Sequence, residues 1–119
     1  MDTDSQHRAL VRRLKKPAEA IDKALTPDGI DLTHAAMGIA GESGEVVDLI
    51  KKAVVNGHEL DNEKVKEEVG DLLFYLQMVG MTCGFTLERA MLDNMAKLTH
   101  RYPDGYSDLA STMRRDVDD

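Results

Sequence analysis

A single cysteine, Cys83, leaves no internal disulfide for the fold to lean on and fits a reducing compartment. It falls on the apolar side of its predicted helix, so its expected role is core filling and not nucleophilic chemistry. Tryptophan is absent and aromatic residues make up only 4%, so any core must be built from Leu, Val, Ala and Met. The seven methionines read as adaptable packing. No apolar run approaches the roughly 20 residues that span a bilayer. The opening Met1-Asp-Thr-Asp-Ser is acidic and unlike a targeting peptide, so a soluble, cytoplasmic protein is expected. An excess of basic residues is missing too: the formal net charge is −7. That argues against a nucleic-acid surface, and a polyanionic small molecule would need metal ions between it and the chain. Also absent are a phosphate-cradling Gly-rich loop after a strand, a Gly-x-Ser-x-Gly elbow and the Glu-x-x-His motifs of di-iron bundles.

What is present is helical. The 119 residues amount to one domain. A first helix over residues 5–25, capped by Asp2, Asp4 or Ser5, carries Leu10, Leu14, Ala18, Ile21 and Leu25 inward. Pro17 should kink it or split it in two. Its Arg8, Arg12, Arg13, Lys15 and Lys16 read as a solvated face. Thr26-Pro-Asp-Gly29 reads as a turn and Asp31 as the cap of a second helix from Leu32 to Val55. At 100° per residue its inward arc is Leu32, Ala36, Ile39, Ser43, Val46, Ile50 and Val54. A third helix follows from the Asp61 cap to Cys83, with Val65, Val69, Leu72, Leu76, Val79 and Cys83 inward. Thr86 caps a fourth, Leu87 to Arg101, whose stripe is Leu87, Met91, Asn94 and Leu98. The expectation is an all-α, four-helix-bundle-like domain over residues 1–106, with core helices at 31–101. A polar tail, residues 107–119, is either mobile or docked on a partner subunit.

Two acid pairs interrupt the apolar pattern. Glu42 and Glu45 lie one turn apart on the second helix, and Glu68 and Asp71 one turn apart on the third. Glu42 falls on the rim of the apolar arc and Glu68 squarely on its flank, whereas Asp48, Glu63 and Glu67 point outward. A carboxylate on an apolar flank must be protonated, paired or metal-bound. The spacing leaves two readings open, buried ion pairs to Lys or Arg and a site for a hard divalent cation. All-oxygen donors favour Mg²⁺ or Mn²⁺ over Zn²⁺. Mid-helix Gly38, Gly41 and Gly44 point either to a close approach of a helix or ligand, or to a local bend. Asn94, Lys97 and Arg101 share one edge of the fourth helix, fit either to grip phosphate or to snorkel from a core edge. His34 lies on the side of Lys52 and near Glu45, as a substrate contact or as an incidental histidine.

Three segments now combine: Gly41-Glu-Ser-Gly-Glu-Val-Val-Asp-Leu-Ile-Lys-Lys52, Glu67-Glu-Val-Gly-Asp-Leu-Leu-Phe-Tyr75 and Asn94-Met-Ala-Lys-Leu-Thr-His-Arg-Tyr-Pro103. Together they resemble the MazG-like nucleotide pyrophosphohydrolases of the all-α NTP pyrophosphatase superfamily, over roughly residues 30–106. The ending, Gly105-Tyr-Ser-Asp and then Arg114-Arg-Asp, looks like short single-domain members. The resemblance implies hydrolysis of a (deoxy)nucleoside triphosphate to monophosphate and pyrophosphate, with Glu42, Glu45, Glu68 and Asp71 as Mg²⁺ ligands. It also implies nucleotide contacts from Asn94, Lys97 and Arg101, with Tyr102 adjacent and Lys52 matched less closely, in a homodimer or homotetramer. Glu45, farther from the apolar arc, is the expected water-orienting base. Two other readings stand beside this one: a non-catalytic helical interaction module, and a hydrolase of a guanosine polyphosphate alarmone.

Overall fold

The computed structural model describes residues 2–113, which form six helices and no strand. Pro17 splits the first predicted helix into α1 (Thr3–Leu14) and α2 (Ala18–Ala24). The Asp2 carboxylate accepts from the Ser5 N–H at 2.8 Å to open α1. The long helix α3 (Pro27–Val54) starts earlier than Asp31, because Thr26-Pro-Asp-Gly29 is its first turn and not a separate turn. Thr26 Oγ1 accepts from the Gly29 N–H at 3.1 Å, and a proline at the first helical position gives up a donor that had no partner there. Gly57, in left-handed conformation, reverses the chain, and Asp61 caps α4 (Asn62–Cys83) by accepting from the Glu63 and Lys64 N–H groups. Gly84 ends α4 in left-handed conformation and Thr86 caps α5 (Leu87–Arg101). Part of the predicted tail is a short helix, α6 (Asp108–Met113). The Arg114-Arg-Asp ending lies outside the described residues.

The packing centre is the antiparallel hairpin of α3 and α4. Along its middle run the covered or half-covered positions Leu32, Ala35, Ile39, Glu42, Val46, Leu49 and Ala53 on α3, and Val65, Glu68, Leu72, Tyr75, Val79 and Thr82 on α4, with Gly38, Ser43 and Asp48 and Leu76, Met78 and Gly80 covered or half-covered beside them. Along the middle run, steps of three and four alternate. That is a 3.5-residue seam, the repeat two long helices keep when they stay in contact by coiling about each other. A straight 100° arc drifts about 20° per heptad from such a seam. This is why Ala36, Ile50 and Val54, expected inward, are exposed, Val54 to 77%. Val69 is exposed for the same reason. Cys83 lies one position beyond the seam and is exposed, so its reading as core filler does not hold.

Of the three mid-helix glycines, one meets a neighbour within this chain. A Cβ at Gly38 would overlap the Tyr75 ring, so close approach explains that residue, while the space at Gly41 and Gly44 is open. Elsewhere the chain closes little on itself. α5 meets α4 only marginally, and α1 and α2 pack on no other helix to any greater extent. Met91 and Leu98, expected inward on α5, are exposed, and Leu87 is half-buried. The radius of gyration is 20.7 Å, against about 13.5 Å for a compact chain of this length. No helix among the described residues is long and apolar enough to cross a membrane.

Candidate metal centre and functional site

Two seam positions that would ordinarily be Leu or Ile are carboxylates. Glu42 on α3 and Glu68 on α4 are half-buried, and Asp71, one turn along α4, is exposed beside them. One oxygen from each of the three lies within 4.8 Å of the others. The Glu42 carboxyl group is the nearest polar neighbour that acts on Glu68. The interaction with Glu42, partial desolvation and the negative charges of Glu42 and Asp71 hold the Glu68 pKa above the ordinary glutamate value. Like charges this close favour a proton or a cation between them.

Basic side chains do not supply that cation. Among the described residues, ion pairs join Arg8 to Asp4, Lys52 to Asp48, Lys66 to Glu63 and Arg89 to Asp93; the three clustered acids take part in none of these. The donor set is all oxygen, as hard divalent ions prefer. Its 4.8 Å spread is slightly wider than the about 4.2 Å between opposite ligands of octahedral Mg²⁺. Small side-chain rotations close that difference. The cluster therefore fits a metal of this class.

A depression of about 370 Å³ opens beside it, lined by Glu42, Asp71, Phe74 and Tyr75. Tyr75 is held in place by edge-on contacts with His34, 5.8 Å between ring centres, and Phe74, 5.2 Å. Sequence reasoning did not single out Phe74 or Tyr75 as site residues. The available signal was the pairing of a large seam residue with Gly38 on the facing helix, which is visible only once the hairpin register is known.

The remaining predicted residues are dispersed. Glu45 is exposed and stands outside the group of three. Lys52 donates to Asp48 at 2.7 Å, which raises the lysine pKa and lowers that of the aspartate, with Glu45 contributing a weaker attraction to the lysine. His34 packs on Tyr75, about 16 Å along α3 from Glu45 by helical rise. Asn94 and Lys97 are exposed on α5, whereas Arg101 and Tyr102 are half-buried at its end. The Arg101 guanidinium sits 5.9 Å from the centre of the Tyr102 ring, which lies 5.5 Å from that of Tyr106. Of all these predicted residues, only Glu42 and Asp71 line the depression.

No curated protein and no solved structure matches the chain. The family model for the MazG nucleotide pyrophosphohydrolase domain does, over residues 32–106. That span runs from the first seam residue of α3 through the acid cluster and α5 to Tyr106. The chain thus belongs to the MazG nucleotide pyrophosphohydrolase domain family.

Proposed function

We propose that this protein is a Mg²⁺-dependent nucleoside triphosphate pyrophosphohydrolase, with Mn²⁺ as a substitute, that cleaves a (d)NTP to NMP and pyrophosphate. The observation that carries the proposal is the set of three carboxylates, Glu42 and Glu68 in the seam of a hairpin and Asp71 exposed beside them, paired with no base among the described residues. Glu42, Glu68 and Asp71 would hold the metal. Bound there, a divalent ion neutralises phosphate charge and lowers the pKa of water. Glu45, one turn beyond Glu42, orients the attacking water and takes its proton as the α-phosphorus is attacked and pyrophosphate leaves. Lys97, Arg101 and Asn94 hold the phosphates and sugar, with Tyr102 beside them and Lys52 and His34 at the periphery.

Within one protomer α5 stands apart from the acids, so this reading needs a second copy to bring them together. The exposed apolar residues of the hairpin, among them Met37 (71%) and Met81 (76%), are the surface a dimer or tetramer would cover. Such an assembly acts on the cytoplasmic nucleotide pool. The test is a panel of canonical and damaged nucleotides, guanosine polyphosphates included, assayed with Mg²⁺ and with Mn²⁺. Stoichiometric pyrophosphate from a nucleoside triphosphate, lost in Glu68→Gln, supports the proposal. Orthophosphate as the only product overturns it, as does a chain whose melting temperature responds to neither chelator nor nucleotide.

A further inference from the structure

The depression beside the acids has an aromatic wall that metal binding does not use. Phe74 lies three residues beyond Asp71 on α4, about 60° from it around the axis and about 4.5 Å along it. Its ring lines the same depression of about 370 Å³ as Glu42 and Asp71. Phe74 is not a seam residue. It is 61% exposed, whereas Tyr75, its neighbour in the chain, is half-buried in the seam. The chain has only two Phe, three Tyr and no Trp, yet it sets two of those rings in succession at the edge of this depression.

The two rings stand at 89° to one another with their centres 5.2 Å apart. Tyr75 is held from two further sides, by the His34 ring at 5.8 Å and by α3 at Gly38, where a Cβ would overlap it. Phe74 thus rests on a ring fixed by both helices of the hairpin, and more than half of its own surface stays uncovered. A flat aromatic ligand finds a free π-face there, with a second ring set perpendicular beside it.

The acids decide which ligand that is. The family acts on nucleotides, and on the proposed reading a metal ties the triphosphate to Glu42, Glu68 and Asp71. In a nucleoside triphosphate a single sugar separates the base from the phosphate chain. The base must therefore lie within one sugar's length of the acids, and Phe74 is one helical turn from Asp71. No Lys, Arg, Asn or Gln lines the depression, so contact with the base falls to ring faces. Stacking on an aromatic side chain suits any base, because each has a π-face.

We infer that the Phe74 ring is the platform on which the nucleobase of the triphosphate stacks, with Tyr75 as the fixed wall beside it. The inference rests on the metal–triphosphate reading above and assigns the base subsite that this reading leaves open. The chain has no tryptophan, so Phe74→Trp supplies a lone indole at the platform. With Mg²⁺, the uncleavable α,β-imido forms of dATP or dCTP should quench its emission saturably. Inorganic tripolyphosphate carries no base. It should not quench the indole, and it should restore emission by displacing the analogue. The same titration of Phe85→Trp, at the α4–α5 connection, should show no quenching. In Phe74→Ala, affinity for the analogues falls at least about fivefold, while affinity for tripolyphosphate and the circular dichroism are unchanged. Analogues that bind by calorimetry without quenching overturn the platform and leave the metal–triphosphate reading standing. Failure of analogues and tripolyphosphate alike to bind overturns both. A Phe74→Ala chain that loses self-association while its analogue affinity holds gives the ring to a contact between copies, which also overturns the platform.

Discussion

The helices α4 and α5 are both amphipathic and both carry polar residues on their apolar side, but only α4 has its stripe covered within the chain. Covering matters for chemistry. On α4 the seam half-buries Glu68 against Glu42, lifts its pKa and fixes its place relative to Asp71. On α5 Asn94 and Lys97 face solvent, and among the described residues no ion pair holds Lys97. The acid cluster is therefore built by packing inside one chain, and on the proposed reading the basic residues of α5 need another surface to organise them.

The sharpest way to break that contrast is Glu68→Gln, which keeps the shape and removes the charge. Pyrophosphate release should fall by about a thousandfold, the scale of removing a charged group from the reacting centre, while circular dichroism is unchanged. Next in size is Gly38→Ala. Its new Cβ meets the Tyr75 ring, and overpacking of this kind costs about 1–3 kcal/mol, read as a lower midpoint in urea. Lys97→Ala tests α5: kcat/KM should drop about tenfold or more through KM, with the urea midpoint unmoved.

Smaller again is Gly44→Ala, where the space is open in this chain. Removing a mid-helix glycine should stabilise the protein by about 0.5–1 kcal/mol. A loss in its place would mean that a second chain closes on that face. The gentlest effect is on pH dependence. Glu68 binds its proton more tightly folded than unfolded, so in chelator stability should decline as pH rises from about 4.5 through the raised folded value. Glu68→Gln should flatten that slope, and added Mg²⁺ should oppose it.

Much of this was legible in the residues. Pro17, Asp61, Gly84 and Thr86 act through local backbone chemistry, so the breaks and caps they predict are the ones observed. Thr26-Pro-Asp-Gly29 was ambiguous because proline serves equally in a turn and in a first helical turn. The acids were read correctly as a rim feature on α3 and a flank feature on α4. Their entry into the seam itself, the exposure of Val54, Val69 and Cys83, and the roles of Phe74 and Tyr75 were not visible. All of these depend on the helices coiling together at 3.5 residues per turn, which neither helix would do alone.

By itself, then, the sequence determined where helices start and stop, which carboxylates lie one turn apart, and the all-oxygen character of the donor set. These are properties of neighbours along the chain. Only the tertiary structure decided that Glu42, Glu68 and Asp71 meet while Glu45 stands outside, because that depends on the register between α3 and α4. Register is set by Gly38 admitting the Tyr75 ring and by an apolar seam on either side of the acids, contacts that exist only after the hairpin has closed.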